Sequence, residues 1–383
     1  MAANVIKREF NTPLFSLNDY VINHYIHYGR FGHFHFCQTK KDESKNFLLK
    51  VLKKSVILEK KLFDKIKQEI EMYEKLKHPF FFPKLIGIAT NDPKYLGLFF
   101  NFVPGGKLRS LLNRKKKFPL EQAKFYLGNI LLILENMHKN KVIYRDLKPD
   151  NLLIKQNGYL TILDISYAKE LNNKNDLTYT LCGTPNYLAP EIILNKGYNY
   201  SIDFWSLGVI LFEMLVGKDP FHSHDPMLIY QNILTNKMQF PKIIDRDAKT
   251  LINHLLVSDP TKRYGCLKNG GEDIKNHRLY NDFRWRRLAD ESLEAPYKPE
   301  FEEEGGEEKN IYTKFYDEEK INVKLKEKYD KKKEEAERLK KEFQENKNAN
   351  KSKKVNLIEG VEIIDSDTEA KEILESEDPF IDW

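Results

Sequence analysis

The residues with the clearest chemical potential lie between positions 142 and 191, in the sequences VIYRDLKPDNLLI, LTILDIS and TLCGTPNYLAPE. Asp146 and Asn151 flank Lys148 in one segment between apolar runs, and Asp164 follows a strand-like run. Carboxylate and amide oxygens are the ligands that hard divalent cations prefer. A nearby lysine adds the charge neutralisation that phosphoryl transfer requires. Polar surface turns would explain one such residue, but the whole set at these spacings predicts phosphoryl-transfer chemistry.

A β-rich region precedes this chemistry. Residues 20–52 alternate β-formers with polar residues and predict three strands, with a hairpin at Gly29 and Gly32 between the first two. Residues 60–77 have a helical period that places Glu69 on the buried edge. A carboxylate buried without a partner costs several kcal/mol, so Glu69 requires a cation.

The chain changes character after two further predicted strands, at 84–89 and 95–103. A breaker at 104–106, Pro-Gly-Gly, could serve as a hinge. Beyond it the periodicity is helical, strongest over 122–139 and 201–217 and weaker over 247–256. The prediction is an α+β protein with a small β-rich lobe followed by a larger α-rich lobe.

Together these motifs resemble the protein kinases, specifically the AGC group and within it the cAMP-dependent kinases. YRDLKPDN matches the family's catalytic loop, LAPE the end of its activation segment, and IDFWSLGVILFEML the central helix of its large lobe. The similarity runs from about residue 17 to residue 319 and resumes at the C-terminus. It implies a bilobal protein kinase fold with one main helix in the N-lobe and an AGC-type C-terminal tail.

The resemblance also divides the chain. The expected parts are an N-terminal extension (1–19), the N-lobe (20–103), the C-lobe (104–283), an AGC-type tail containing Phe315 (284–319), a charged helix or linker (320–354), and an acidic segment (355–383). The charged segment could instead be a docking helix for an acidic partner. The acidic segment ends in Phe380 and Trp383, which resemble a hydrophobic motif that docks on the N-lobe.

The resemblance implies a role for each chemical residue. Lys50 would hold the α and β phosphates of ATP and pair with Glu69. Asp146 would be the catalytic base, and Lys148 would contact the γ-phosphate. The implied magnesium ligands are Asn151 and Asp164, and the implied ATP-binding positions are Ile26, His27, Gly29, Phe31, Gly32, Phe34, Leu48, Lys50, Val103 and Leu153.

Further positions match regulatory and structural features of the family. Thr180 lies at the activation-loop phosphorylation site, with Arg145 and Lys169 lining the pocket that would receive the phosphate. A buried ion pair is expected between Glu191 and Arg263. Four positions match contacts with a cyclic-nucleotide-binding regulatory subunit, although they could equally be ordinary surface residues: Tyr179, Leu181, Lys196 and Tyr230.

The sequence departs from the family around the nucleotide. His27 replaces the first glycine of the phosphate loop, and Phe34 and Leu48 replace smaller residues of the adenine pocket. Ile165 and Ser166 follow Asp164 where Phe-Gly is usual.

The substrate side departs as well. Lys107 and Asn186 replace acidic substrate contacts, which leaves Asp150 and Glu213 as acidic candidates. We therefore expect the family's preference for substrate arginine to be weakened.

Composition limits the setting. Three cysteines in 383 residues cannot build a disulfide framework, and neither a signal peptide nor an 18-residue apolar run is evident. These features predict a cytoplasmic protein, which could also be nuclear, without membrane or nucleic-acid partners. The net charge of +6 conceals a basic body and an acidic C-terminal block, in which residues 355–383 hold ten acidic and one basic side chain.

The sequence therefore predicts a serine/threonine kinase that uses ATP and Mg²⁺ on protein substrates. The alternative is a pseudokinase that serves as a scaffold or binding module, which the altered nucleotide pocket would explain. A small-molecule phosphotransferase is disfavoured because the segment around Thr184 resembles a peptide-binding loop. A zinc site at His33, His35 and Cys37 is a minor alternative that lacks a fourth ligand.

Overall fold

The computed structural model of the chain describes residues 12–173, 176–242, 244–299 and a two-residue strand at 364–365. All of these belong to one compact unit, Met1–Phe301 with Ile363–Trp383. The predictions for Phe315, for the charged segment 320–354 and for the terminal Phe380 and Trp383 lie outside the described residues.

The N-lobe is built on a six-stranded sheet. Its strands are β1 (Leu14–Phe15), β2 (Tyr20–Tyr28), β3 (His33–Thr39), β4 (Asp42–Lys53), β5 (Leu85–Ala89) and β6 (Tyr95–Asn101), in the spatial order β1-β5-β6-β4-β3-β2. Only the β1–β5 pair is parallel. The three strands and the glycine hairpin predicted over 20–52 are confirmed, whereas β1 was not expected.

The alternation of β4 sends its side chains to two environments. Leu49 and Val51 enter an apolar core with Phe99 and Tyr20. Lys50 lies between them in sequence and therefore faces the opposite side of the sheet, where it is fully buried. The register of β4 thus fixes the side of the sheet on which Lys50 must find its partners.

Two helices follow β4. They are α1 (Lys54–Glu59) and α2 (Phe63–Lys75). The second confirms the predicted amphipathic helix, and Glu69 on its inner face is only 3% exposed. The first was not predicted, since its six residues are too few to show a helical period.

The C-lobe is mainly helical. Its helices are α3 (Leu108–Lys115), α4 (Leu120–Lys139), α5 (Pro190–Ile193), α6 (Ser201–Val216), α7 (Pro226–Leu234), α8 (Arg246–Leu255), α9 (Glu272–Lys275) and α10 (Trp285–Ala289). Helix α6 is apolar on nearly all sides and buried along most of its length, as expected for a central helix.

Short strand pairs hold the loops of the C-lobe. The strands are β7 (Val142–Ile143), β8 (Leu152–Ile154), β9 (Leu160–Ile162), β10 (Lys169–Glu170), β11 (Cys182–Gly183) and β12 (Ile364–Asp365). β8 pairs with β9 and β7 with β10, both antiparallel. β12 pairs in parallel with β11, so a short part of the acidic C-terminal segment lies against the activation segment.

The predicted buried ion pair is confirmed. Arg263 is fully buried and donates from Nη1 to Glu191 Oε1 at 2.7 Å and from Nη2 to Glu191 Oε2 at 3.0 Å. Its Nη1 also donates to the carbonyl of Ser201, and the guanidinium lies 5.1 Å from the ring centroid of Trp205. The pair therefore connects the end of the activation segment to the start of α6.

Replacing Arg263 with Met should lower the free energy of unfolding by about 3–5 kcal/mol, because Glu191 would be left buried and charged without its partner. Urea denaturation followed by tryptophan fluorescence would measure the change. Lys262→Met is the matched control, because the exposed Lys262 forms a surface pair with Asp259 and its replacement should change stability by less than about 0.5 kcal/mol. Equal stabilities of the two variants would contradict a structural role for the pair.

Candidate active site

A buried cluster of charges joins the two lobes at Lys50. Its Nζ lies 2.7 Å from Glu69 Oε1, 3.1 Å from Asp164 Oδ1 and 2.5 Å from Ser166 Oγ. β4 supplies the lysine, α2 supplies Glu69, and the segment after β9 supplies Asp164 and Ser166. The cation that Glu69 required on sequence grounds is therefore Lys50.

Ser166 takes part in this cluster in a way that sequence reasoning missed. Its hydroxyl lies 2.6 Å from Asp164 Oδ1 and 3.1 Å from Glu69 Oε2, and its backbone N–H donates to Asp164 Oδ1 at 3.1 Å. The sequence showed only that Ser166 stands where the family has a glycine. The hydroxyl instead bridges the two carboxylates that hold Lys50.

The protonation of the cluster follows from burial and charge. Burial alone would lower the pKa of Lys50, but the carboxylates of Asp164 and Glu69 outweigh it and raise that pKa. Burial also raises the pKa of Glu69, which Lys50 only partly offsets. Burial would raise the pKa of Asp164 too, but Lys50 and Ser166 hold it below its ordinary value. Asp164 is therefore the carboxylate kept charged for a cation.

The catalytic-loop residues form a second, adjacent group. Thr184 Oγ1 donates to Asp146 Oδ1 at 3.0 Å, and Lys148 Nζ donates to Thr184 Oγ1 at 2.6 Å. Lys148 Nζ also lies 3.3 Å from Asp146 Oδ2. The structure thus brings Asp146 and Lys148 together and adds Thr184 from the activation segment.

The residues at the implied magnesium site suit a hard cation. Asn151 donates through Nδ2 to Asp146 Oδ2 at 2.7 Å and to the Asp146 carbonyl at 2.8 Å. Its Oδ1 is buried and has no hydrogen-bond partner among the residues that the structure describes. A buried amide oxygen without a donor, in a site that also holds the charged Asp164, supplies the oxygen ligands that Mg²⁺ takes.

The phosphate loop lies close to these groups. The N–H of Gly29 donates to the Gly32 carbonyl at 2.8 Å and closes the β2–β3 turn. A Cβ at Gly29 would lie 2.6 Å from Asp164 Oδ2, and one at Gly32 would lie 2.2 Å from the Val51 carbonyl. Both glycines are therefore required by space, although His27 replaces the first glycine of the loop.

His27 is held as a neutral side chain. Burial lowers its pKa well below the ordinary value, and the positive charges of Lys107, Lys148 and Lys50 lower it further. Its Nδ1 lies 3.2 Å from Lys107 Nζ and can therefore accept a hydrogen bond. The replaced glycine thus adds no charge beside the phosphates.

The apolar positions that the resemblance implies for ATP binding are all buried. Phe34 lies directly opposite Lys50, with its ring centroid 5.1 Å from Nζ. Leu48 lies opposite Phe36 and Phe100 on the same face of the sheet. All six apolar positions named from the sequence are buried: Ile26, Phe31, Phe34, Leu48, Val103 and Leu153.

Asp203 positions the catalytic loop and was not singled out from the sequence. Its Oδ1 accepts from the Arg145 N–H at 3.0 Å, and its Oδ2 accepts from the Tyr144 N–H at 2.9 Å and lies 2.8 Å from His138 Nε2. Arg145 has φ 71°, a conformation that non-glycine residues adopt only when the surroundings enforce it. The buried Asp203 provides that constraint by accepting the hydrogen bond from the N–H of Arg145, which directly precedes Asp146.

Thr180 is exposed, and its carbonyl accepts a hydrogen bond from the Tyr198 hydroxyl at 2.6 Å. Arg145 donates from Nε to the Tyr167 carbonyl at 2.6 Å, and Lys169 Nζ donates to Thr178 Oγ1 at 2.9 Å. Burial lowers the pKa of Lys169, and the nearby charge of Arg145 lowers it further. An anion bound between Arg145 and Lys169 would relieve their repulsion, which keeps this pair the candidate receiver of a phosphate on Thr180.

Arg109, which sequence reasoning missed, pairs with both acidic candidates, Asp150 and Glu213. Its Nε donates to Asp150 Oδ2 at 3.0 Å, Nη1 donates to Glu213 Oε1, and Nη2 donates to the Tyr187 hydroxyl at 2.6 Å. Tyr187 donates in turn to Glu213 Oε2 at 2.5 Å. The sequence signal that could have identified Arg109 was its position, two residues after Lys107 and near the start of a helix that follows the predicted hinge.

Two other expectations concern metals and membranes. In residues 12–299 as described, no group of three histidine, cysteine or acidic side chains could hold a metal ion, so the zinc alternative at His33, His35 and Cys37 gains no support. None of the helices in this part of the chain is both long and apolar enough to cross a membrane.

Comparison with known sequences gives the family. Residues 20–278 match the model of the protein kinase domain. The cAMP-dependent protein kinase catalytic subunit of Arthrobotrys oligospora is 41% identical over 286 residues, which cover 74% of this chain and 54% of that protein.

Two yeast proteins are also similar. The cAMP-dependent protein kinase type 3 of Saccharomyces cerevisiae is 38% identical, covering 76% of this chain and 72% of that protein. A serine/threonine-protein kinase of the same yeast is 38% identical, covering 76% of this chain and 42% of that protein. The chain thus spans about half the length of the first relative and less of the last.

The charge of Lys107 should make stability depend on pH. Burial lowers its pKa to about 8, with Lys148 adding to that effect and Asp150 opposing it. An unfolded lysine has a pKa of about 10.4. Between these values the unfolded chain binds more protons, so the free energy of unfolding should rise with pH.

Lys107→Met should remove that contribution. The melting temperature of the wild type relative to this variant is expected to increase from pH 7.5 to pH 10. Lys115→Met, which removes an exposed lysine at the end of α3, should show no such trend. A difference between wild type and Lys107→Met that stays constant with pH would contradict the lowered pKa.

Proposed function

Because the chain belongs to the protein kinase family, we propose that it is an active serine/threonine kinase that transfers the γ-phosphoryl group of ATP to serine or threonine hydroxyls of proteins. The observation that carries the proposal is the assembled Lys50–Glu69–Asp164 cluster beside Asp146 and Asn151. A family member that had lost activity would have no need to keep these costly buried charges together.

The reaction follows from the geometry of the catalytic loop. Asp146, now bonded to Thr184, would accept the proton of the substrate hydroxyl as its oxygen forms a bond to the γ-phosphorus. The bond from that phosphorus to the bridging oxygen of ADP breaks, and ADP leaves. Lys148 is placed to neutralise charge on the transferred group, while Lys50 holds the α and β phosphates.

ATP and Mg²⁺ are the proposed nucleotide and ion. Asn151 Oδ1 and Asp164 would hold the ion, and Mg²⁺ bound there would neutralise charge on the phosphate oxygens. The buried apolar positions around Phe34 and Leu48 would contact the adenine, and Gly29 and Gly32 would let the backbone approach the phosphates.

Thr180 is the proposed activating phosphorylation site. A phosphate there would add about two negative charges next to Arg145 and Lys169. Because Arg145 directly precedes Asp146, an ordered phosphate contact would fix the conformation of the catalytic loop as well as that of the activation segment.

Protein substrates and a regulatory subunit are the proposed partners. Two relatives are named as cAMP-dependent kinases. Tyr179, one of the candidate contacts, is 59% exposed next to Thr180. A cyclic-nucleotide-binding subunit is therefore the first regulatory partner to test, by co-purification with and without cAMP.

Lys50→Met should abolish phosphorylation of a generic peptide substrate, with a loss of at least about 100-fold. The variant leaves Glu69 and Asp164 without their cation and removes the contact to the phosphates. Lys45→Met, on the exposed part of β4, is the matched control and should retain activity. Wild-type activity in Lys50→Met would refute the assigned role.

Mg-ATP binding separates the proposal from the pseudokinase alternative, which no feature of the site favours. At a hundredfold excess over its dissociation constant, a ligand stabilises the folded state by about 2.7 kcal/mol. The wild type should show this thermal shift together with autophosphorylation. A chain that shows neither at millimolar Mg-ATP would be a scaffold and not an enzyme.

Thr180→Ala should lower kcat/KM by about 10- to 100-fold, the equivalent of one charge-assisted hydrogen bond of about 1.5–3 kcal/mol. Phosphatase treatment of the wild type should have the same effect and should leave Thr180→Ala unchanged. Thr235→Ala, an exposed threonine at the end of α7, is the control. Full activity of the dephosphorylated wild type would contradict the activating role.

A further inference from the structure

Arg109 fills an acidic pocket next to the site of phosphoryl transfer. It contacts the carboxylates of both Asp150 and Glu213 and the hydroxyl of Tyr187. These three partners come from the catalytic loop, α6 and a turn near the end of the activation segment. The pocket is therefore assembled from separate parts of the C-lobe, and one arginine of the same chain satisfies it.

The pocket lies where a bound substrate must pass. Asp150 belongs to the turn Pro149–Asn151, which begins directly after Lys148, and Tyr187 belongs to the turn that begins directly after Thr184. Lys148 and Thr184 both contact Asp146, the proposed base. A peptide with its hydroxyl at Asp146 therefore runs within a few residues of the pocket.

Two carboxylates at such a place would select a cationic side chain if they were available. They are not, because the guanidinium of Arg109 already pairs with both. The side chain of Glu213 is 7% exposed and that of Arg109 is 22% exposed, whereas that of Asp150 is 37% exposed. A substrate arginine would have to displace a partly buried guanidinium that has three hydrogen-bonding partners.

A second cation reinforces this effect. Lys107 lies two residues before Arg109, and its Nζ is directed to the neutral His27 and not to a carboxylate. The four charges of Lys107, Arg109, Asp150 and Glu213 therefore cancel. A pocket with no net negative charge offers an incoming arginine no attraction.

A short part of the acidic C-terminal segment pairs with the strand that precedes Thr184. β12 pairs with β11, which directly precedes Thr184. The sequence around β12, GVEIIDSDTEA at 360–370, contains four acidic residues, one serine and no basic residue. Residues 364–365 of this acidic stretch therefore pair with the strand that precedes Thr184.

Resting on the proposed kinase activity, we propose that Arg109 is an internal substitute for a substrate arginine. It makes this enzyme indifferent to basic flanking residues and lets it accept acidic substrate segments. Arg109 is then a specificity-determining residue, and removing it should expose a latent preference for arginine.

The test is a peptide scan. Peptides with a single serine carry arginine, alanine or glutamate at each position from five before to three after the serine, and the sequence 360–370 is included. In the wild type, no arginine peptide should have a kcat/KM more than about threefold above its alanine or glutamate counterpart. Arg109→Met should raise kcat/KM for arginine at one or more positions by about tenfold, because a charge-assisted hydrogen bond is worth at least that factor.

Matched variants identify the cause. Arg114→Met removes an arginine from the same helix that contacts Tyr297, outside the pocket, and should leave the peptide preference unchanged. Adding Glu213→Gln to Arg109→Met should remove the gained preference. Thermal melting shows whether each variant folds. If Arg109→Met does not fold, Arg109→Gln replaces it in the peptide scan.

Binding separates this inference from the proposed function. Fluorescent peptides with alanine in place of serine report the same preference by anisotropy, without turnover. Binding without phosphorylation of any peptide would contradict the kinase activity and leave the preference measurable. A wild type that prefers arginine tenfold, or an Arg109→Met variant that gains no preference in either assay, would overturn the role of Arg109.

Discussion

The burial of Lys50 is the constraint on which the arrangement of the site depends. Removing an ion from water costs several kcal/mol, and Lys50 is fully buried. The cost is offset only while Glu69 and Asp164 stay within hydrogen-bonding distance, and these residues belong to different lobes. Displacement of α2 would leave Glu69 buried without its cation, so the active arrangement of the helix is also the arrangement that satisfies the charges.

The same cluster explains the attraction of the site for a further cation. Lys50 and Ser166 hold the pKa of Asp164 below its ordinary value, so that carboxylate stays charged, and the Ser166 hydroxyl bridges it to Glu69. Asn151 uses its amide nitrogen on Asp146, and no donor in the described part of the chain reaches its buried oxygen. A charged carboxylate next to an unsatisfied amide oxygen suits a hard divalent ion, and a glycine loop too tight for any side chain lies beside it.

The sequence predicted those parts of the site that depend on local pattern or on an unavoidable physical demand. The alternation of β4 and the helical period of α2 are local, and a carboxylate on the buried face of α2 requires a cation wherever that cation comes from. The family motifs supplied the roles of Asp146 and Asn151. The bridging hydroxyl of Ser166 was not predictable in this way, because it depends on the side chain reaching Glu69, which is 97 residues away in sequence.

The contacts of Arg109 were missed for a related reason, and they show how charge satisfaction determines specificity. The signs of Lys107, Asp150 and Glu213 suggested only a weakened preference for arginine, since sequence alone does not say which cation meets which carboxylate. In the structure, Arg109 reaches residues 41 and 104 positions away. The need of Lys50 for charged partners brings the catalytic residues together. The same need of Arg109 is met by Asp150 and Glu213, which are then not available to a substrate. Recognition of a substrate by charge needs a group left unsatisfied in the free enzyme, and Asp150 and Glu213 do not offer one because Arg109 already pairs with both.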